Sequence, residues 1–312
     1  MPLLQIEQIY AIIAQMFEDV SRVMHFQRVK SILSRYNGMN LYRGCQHGCI
    51  YCDSRSLCYQ MHHDFEDIAV KENALQLLEA SLKSKRSTCM IGTGSMSDPY
   101  IPLEKKLKLT RGALECIEKY GFCVSLLTKS DLVLRDLDLL QSIHNKGKAV
   151  VQMTLTTADE NLCRIIEPGV CTTGRRAEVL YAMRDARIPT IVWLDPILPF
   201  INDTEENIMG ILNICAEARV KGIICFGMGL PLRDGNREYF YKQLDKHFPG
   251  LKQQYIAHYG MNYEVLSPNN EKLMGIFHRF CEENNMMHDN DRIFYYISHF
   301  DMTEREEQLT MF

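Results

Sequence analysis

Short apolar runs alternate with longer amphipathic stretches from about residue 38 onward. Six runs have the length and β-branched content of strands: GMNLYRG (38–44), TCMIGTG (88–94), FCVSLLTK (122–129), AVVQMTLTT (149–157), PTIVWLDPI (189–197) and GIICFGMG (222–229). Each of the first five is followed by a stretch in which apolar residues recur at helical spacing. Nearly continuous apolar strands separated by helices are typical of a parallel sheet that is buried on both faces.

This alternation predicts an α/β protein with a partial (β/α)6 TIM-type barrel over residues 37–230, and a doubly wound open sheet is the alternative. Residues 1–36 are expected to form an N-terminal helical segment and residues 231–312 a C-terminal helical cap. We expect the helix after the fifth strand to have Asn202 or Asp203 as its N-cap. In either fold, functional residues are expected at the carboxyl ends of the strands.

The composition is that of an ordinary globular protein, with 312 residues, 46% apolar residues and 24% charged residues. The net charge of −4 gives no overall attraction to nucleic acid. The N-terminal stretch lacks the features of a targeting signal, and no apolar run approaches the roughly 18 residues of a membrane span. We therefore expect a cytoplasmic protein, in which the 12 cysteines are metal ligands or buried thiols, not disulfides.

Three of these cysteines are clustered directly after the first predicted strand. Cys45, Cys49 and Cys52 have the spacing C-x3-C-x2-C. A structural zinc ion requires a fourth ligand, which can come from one of four nearby residues: His47, Cys58, His62 or His63. An iron–sulfur cluster usually takes four thiolates, so three would leave one iron open to a substrate or cofactor. The spacing alone leaves both interpretations open.

The motif, with Tyr51 before its last cysteine, resembles the signature of the radical S-adenosylmethionine (SAM) superfamily. The resemblance implies that the three cysteines hold a [4Fe-4S] cluster and that SAM chelates the fourth iron. It further implies reductive cleavage of SAM to a 5′-deoxyadenosyl radical, which abstracts a substrate hydrogen. A partial (β/α)6 barrel and an electron donor of the flavodoxin or ferredoxin type are expected with it.

Several longer stretches are similar to the spore photoproduct lyase-like family within this superfamily. They include NLYRGCQHGCIYC, GTGSMSDPYIPLEKKLKLTR, LLTKSDLVLRDLDLL and DPILPFINDTEENI, and the similarity covers about Asn40 to Gly229. The resemblance implies that Ser97 and Asp98 contribute to the site for the SAM amino group. It places Lys129 near the SAM carboxylate and Thr154 near the ribose. No catalytic side chain is assigned beyond these.

One departure from that family affects the expected reaction. Spore photoproduct lyases carry a hydrogen-donating cysteine in the loop after the second strand, where this chain has Ser95 and Met96. Cys89 lies upstream, inside the predicted strand. Repair of thymine dimers therefore does not follow from the resemblance. The substrate is a nucleic-acid lesion, or alternatively a peptide or small molecule, and a third interpretation is a zinc-stabilised binding protein without enzymatic activity.

Two charged residues near the fourth strand are open to two interpretations. Arg164 and Glu167 can form a structural ion pair or can line the SAM pocket.

Overall fold

The computed structural model describes residues 24–300. Its strands are β1 (Met24–Gln27), β2 (Gly38–Met39), β3 (Tyr42–Arg43), β4 (Ile68–Lys71), β5 (Met90–Thr93), β6 (Cys123–Thr128), β7 (Ala149–Thr154), β8 (Thr190–Trp193), β9 (Gly222–Ile224), β10 (Gly229–Pro231) and β11 (Glu264–Leu266). Six of them form one parallel sheet in the order β2-β5-β6-β7-β8-β9. This sheet confirms the predicted α/β fold and its partial barrel.

The helices of the described residues follow the strands as the sequence pattern predicts. They are α1 (Ala74–Ser84), α2 (Glu104–Leu107), α3 (Leu109–Lys119), α4 (Leu137–Lys146), α5 (Glu160–Ile166), α6 (Thr173–Asp185), α7 (Glu205–Glu217), α8 (Asn236–His247), α9 (Leu251–Tyr259), α10 (Asn270–Glu283) and α11 (Asn290–Ser298). Short 3-10 turns cover Asp53–Arg55, Leu57–Tyr59 and Asp131–Asp136. None of the helices described between residues 24 and 300 is long and apolar enough to cross a bilayer.

The first predicted strand is broken in the structure. Of the run 38–44, only β2 joins the barrel sheet, whereas β3 pairs antiparallel with β4. Strand β4 also pairs with β1 and so forms a separate three-stranded sheet. The predicted helical segment 1–36 is therefore wrong for its described part, which contains β1, and residues 1–23 lie outside the described residues.

The N-cap of the helix after β8 lies one or two residues later than predicted. This N-cap is Thr204, not Asn202 or Asp203, and the Thr204 side chain accepts a hydrogen bond from the Asn207 backbone N–H. The Asn202 amide instead donates to the Thr156 carbonyl at 2.7 Å. It therefore ties the loop after β8 to the loop after β7.

The barrel has an outer core between sheet and helices and a smaller inner core. Side chains alternate between the two faces of each strand. Inward residues of five strands form an apolar layer with α11 of the C-terminal cap: Met90, Cys123, Val150, Ile191 and Ile224, packed with Ile293 and Ile297. The cap is therefore more than an outer covering, because its last described helix closes the amino-terminal end of the barrel.

Candidate active site

The loop that carries the three cysteines follows β3 and is held by backbone hydrogen bonds to two other segments. The Cys45 N–H donates to the Phe65 carbonyl, and the Ile50 N–H donates to the Ile166 carbonyl. In the segment after α5, the Gly169 N–H donates to the His47 carbonyl at 2.8 Å. These contacts fix the backbone of the loop at both ends. The three thiols are all free of disulfides.

A cavity of about 130 Å³ lies against this loop at the carboxyl ends of β5 and β6. Its lining includes six of the seven predicted site residues: Cys45, Cys49, Cys52, Ser97, Asp98 and Lys129. Thr154 is absent from that lining; it is buried at the end of the neighbouring strand β7. Two larger cavities, of about 450 and 380 Å³, contain none of the predicted site residues.

Gly94 explains how the loop after β5 comes so close to β6. Its φ of +102° is in the left-handed region, and a Cβ there would collide with the Leu127 carbonyl oxygen. Only glycine fits this approach without strain. The following Ser97 hydroxyl donates to the Gly44 carbonyl at 2.6 Å and thereby joins the loop to the segment before Cys45.

Asp98 is a buried carboxylate that organises its surroundings. It accepts hydrogen bonds from the Thr128 hydroxyl at 2.7 Å and from the backbone N–H groups of Lys129 and Tyr100, each at 2.8 Å. Its second oxygen also lies 3.1 Å from His47 Nε2. Burial alone would raise the pKa of Asp98, but His47 and the hydrogen bonds outweigh it and lower that pKa. The carboxylate therefore stays ionised and links the cysteine loop to the end of β6.

The Lys129 ammonium group has a different environment. Within the described range 24–300, no residue accepts a hydrogen bond from the Lys129 ammonium group. Burial acts to lower the pKa of Lys129, and the nearby Cys49, Glu167 and Asp98 outweigh it, so the pKa is raised. A charged ammonium group that is half-buried and lacks a hydrogen-bond acceptor is suited to binding an anionic ligand.

Three buried side chains, Tyr51, Glu167 and Arg176, connect the cysteine loop to the barrel. The Tyr51 hydroxyl and the Arg176 guanidinium both donate to the Glu167 carboxylate. Arg176 also donates to the Thr154 carbonyl at 2.8 Å, which connects the loop to the end of β7. Glu167 therefore pairs with Arg176. Arg164, the other candidate partner, lies on the surface and interacts with Glu160 at 3.6 Å.

Among residues 24–300, the three cysteine sulfurs do not all lie within 4.8 Å of one another. A zinc–sulfur bond of about 2.3 Å keeps two sulfurs on one ion within roughly 4.6 Å of each other. Among residues 24–300, the group of three ligand atoms that lie within 4.8 Å of one another is a different one, His25, His63 and Asp67. The three cysteines therefore do not form a preformed set of zinc ligands among the described residues.

The proposed fourth zinc ligands have other contacts. His47 Nδ1 lies 3.1 Å from the Gly169 carbonyl and its Nε2 faces Asp98. Cys58 is exposed and lies 3.7 Å from the Arg233 guanidinium. The His63 ring packs edge-on against His25 on the small sheet, at 4.8 Å between centroids.

The comparisons with known proteins identify the family. The family model described as the radical SAM superfamily matches residues 39–215, which is more than half of the chain. The chain belongs to the radical SAM superfamily. Members of this superfamily are enzymes that normally use a [4Fe-4S] cluster and SAM, and the cavity offers three thiols and an ammonium group for such a pair.

The curated relatives to which this chain is similar are described as uncharacterized proteins. A protein of Mycobacterium tuberculosis is 32% identical over 225 residues, which covers 70% of this chain and 65% of the relative. A protein of Methanocaldococcus jannaschii is 36% identical over 169 residues, which covers 54% of this chain and 62% of the relative. The chain thus spans a little under two thirds of the length of these relatives.

Solved structures agree with the radical SAM fold. Spore photoproduct lyase complexed with dinucleoside spore photoproduct superposes with a TM-score of 0.60 and 14% identity, and the match covers 89% of this chain and 91% of that chain. A cysteine-to-serine mutant of spore photoproduct lyase gives a TM-score of 0.59 at 16% identity, covering 83% of this chain and 79% of that chain. At this identity the similarity shows the fold alone.

Proposed function

We propose that the chain is a radical SAM enzyme that binds a [4Fe-4S] cluster through Cys45, Cys49 and Cys52, with SAM at the remaining iron. The observation that carries this proposal is that three free thiols and the unmatched Lys129 ammonium line one cavity. When bound, the two groups supply reductive cleavage of SAM and the 5′-deoxyadenosyl radical that takes a hydrogen from the substrate.

Four side chains of the chain would position SAM. Lys129 pairs with the SAM carboxylate, since its ammonium group has no hydrogen-bond acceptor among the described residues. Ser97 lies in the same cavity and offers its hydroxyl oxygen to the amino group. Asp98 acts through its hold on the Lys129 backbone and on His47. Thr154, on the strand next to Lys129, would approach the ribose.

The substrate we propose is not a thymine dimer. A thiol that returns hydrogen to a product radical would have to face the barrel interior, and the loop after β5 carries Ser95 and Met96 instead. Because Met90 faces the interior, its neighbour Cys89 faces the helices, where it packs against the outer core. We therefore favour a small molecule or a peptide over a DNA lesion.

The test of the function begins with anaerobic purification and assays for iron, sulfide and zinc. Dithionite and SAM are then added, and 5′-deoxyadenosine is measured by chromatography. We expect about four irons per chain and formation of 5′-deoxyadenosine. Cys49→Ala should lose both, and Cys58→Ala, which removes an exposed thiol outside the cavity, should keep both. Bound zinc without iron, and no 5′-deoxyadenosine, would support the zinc-stabilised binding protein instead.

Two further measurements address the proposed partners. Reduced flavodoxin or ferredoxin should replace dithionite in the same assay. Duplex DNA should show no binding in fluorescence anisotropy, even at low salt, since phosphate contacts are strongest there. DNA binding that weakens steeply with added salt would instead support a DNA lesion as the substrate.

A further inference from the structure

The interior of the barrel is divided into layers by the register of the strands. Gly92 of β5 lies beside Ser125 of β6, and Gln152 of β7 lies beside Ile191 of β8. All four belong to the inward face, because side chains alternate along each strand and Ile191 is part of the inner core. The apolar layer on α11 is the floor of the interior, and the residues that follow it on each strand lie above that floor.

The layer above the floor is polar and tightly connected. Trp193 Nε1–H donates to Gln152 Oε1, and Gln152 Nε2–H donates to Ser125 Oγ, both at 2.8 Å. Gln152 and Ser125 are buried, so these bonds offset the cost of withdrawing their polar atoms from water. The chain of bonds also fixes the orientation of the Trp193 indole.

Open space remains beside this polar layer. A Cβ built on Gly92 would meet no atom within 4 Å, although the residue lies in the middle of a strand. Phe226, just after β9, lies 6.1 Å from the Trp193 ring and stacks on Phe294 of α11. The Phe226 side chain is 55% exposed, so its ring remains accessible beside Trp193.

Asp195 closes the layer at the carboxyl end of β8, two residues after Trp193. It is half-buried, and its carboxyl group has no hydrogen-bond donor among residues 24–300. Burial raises the pKa of Asp195 to about 7, against the opposing effect of Lys129. A carboxyl group in such surroundings can donate a hydrogen bond when protonated and accepts one in either state.

We propose that this interior chamber binds a planar ring with an N–H group beside a carbonyl, and that Asp195 recognises that edge. The proposed chamber comprises the open space at Gly92, the hydrogen-bonded side chains of Ser125, Gln152 and Trp193, and the carboxyl group of Asp195 beyond them. Aromatic side chains favour a ligand ring that packs against them in a stacked or edge-on arrangement. The polar atoms of that ring lose water on binding, so they need hydrogen-bond partners in the chamber. The proposal rests on the proposed function, because the ring has to lie within reach of SAM bound near Lys129.

The ring specificity can be measured directly, because Trp193 is the single tryptophan of the chain. Uracil serves as the probe, and 1,3-dimethyluracil, which keeps the ring but lacks both N–H groups, serves as its control. Both are titrated into the cluster-loaded chain with SAM present, and the Trp193 fluorescence is followed. We expect a saturable change with uracil, and binding about tenfold weaker for the dimethyl compound, as expected for the loss of one or two hydrogen bonds.

Two variants locate the recognition. Asp195→Ala should bind both compounds with similar affinity, because ring contacts remain and the edge contact is lost. Asp131→Ala removes a carboxylate that pairs with Arg175 at the surface and should keep the tenfold preference. The proposal is overturned by no saturable change with either compound, by an unchanged preference in Asp195→Ala, or by displacement of uracil when SAM is raised.

The result can be separated from the proposed function, because the two measurements on the unaltered chain are independent. Formation of 5′-deoxyadenosine in the absence of any ring compound tests the cluster and SAM, whereas the fluorescence titration needs no turnover. If 5′-deoxyadenosine forms and uracil causes no saturable change, the ring proposal fails and the proposed function stands. If the unaltered chain forms no 5′-deoxyadenosine, the proposed function fails whatever the fluorescence shows.

Discussion

Arg176 and Glu167 form an ion pair that is fully withdrawn from water, with both side chains at 0% exposure. The pair also binds the Tyr51 hydroxyl, the Cys163 sulfur and the Thr154 carbonyl, so its hydrogen-bonding capacity is largely used. Because Tyr51 lies between two of the proposed cluster ligands, this pair determines where the cysteine loop rests on the barrel.

We predict that Glu167→Gln lowers the free energy of unfolding by about 3–5 kcal/mol, because it leaves the Arg176 charge buried without a counter-ion. Denaturant unfolding of the cluster-free chain measures the change. Glu178→Gln is the matched control, since Glu178 pairs with Arg175 on the surface and its loss should cost at most about 1 kcal/mol. Equal stability of the two variants would show that the buried pair contributes no more than an exposed one.

At the scale of residues, the sequence predicted which side chains lie in the same cavity. It predicted less well which of them form ion pairs or hydrogen bonds with each other. The motif and the strand ends were enough to place Lys129 and Asp98 in one cavity with the cysteines. The partner of Glu167 was not predictable, because Arg176 follows a turn at Pro168 and Gly169 and approaches from the next helix. The structure also brings His47 against Asp98, whereas its position in the motif marked it only as a possible zinc ligand.

The last described helix, α11, has a structural role that its position in the C-terminal cap did not reveal. Its sequence pattern is amphipathic, with Ile293 and Ile297 four residues apart on one face. Such a pattern predicts a helix that packs on something apolar but does not identify the surface. That surface is the floor of the barrel, which consists of inward residues from five separate strands.

We predict that Ile293→Ala destabilises the chain by about 2–5 kcal/mol, the range for a buried aliphatic side chain replaced by alanine. Thermal unfolding followed by circular dichroism gives the change. Tyr295→Ala on the same helix is the control, since this ring is 59% exposed and its loss should cost about 0.5 kcal/mol. A similar loss in both variants would contradict the role of α11 as the closed floor.

For the whole molecule, the alternation of strands and helices was sufficient to predict the barrel, because long-range order follows from a repeated local unit. The small sheet was missed since its strands are only two to four residues long and lack a distinct pattern. It nevertheless determines the site, because the loop before β4 supplies the Phe65 carbonyl that holds Cys45. The pattern alone left zinc and iron open, and the family comparison then placed the chain in a superfamily whose members normally use a [4Fe-4S] cluster.

The cysteines differ in exposure and in pKa, so the rate at which each is alkylated can report whether a cluster is bound. Only the thiolate reacts with iodoacetamide at an appreciable rate, so a buried thiol with a raised pKa is inert. Burial, with nearby Cys52 and Asp98, raises the pKa of Cys45 to about 12, and Cys49 is also buried with a raised pKa. Cys52 is only half-buried, and Cys58 is exposed.

We predict that in the cluster-free chain Cys58 reacts fastest, Cys52 more slowly and Cys45 hardly at all, as measured by mass spectrometry of digested protein. Loading the cluster should abolish the reaction of Cys52, because its sulfur would then be bound to iron, and should leave Cys58 unchanged. The two cysteines are close in sequence, so a general tightening of the loop would slow both. Protection of Cys52 alone therefore distinguishes ligation from reduced mobility, and equal reactivity with and without iron would remove Cys52 from the ligand set.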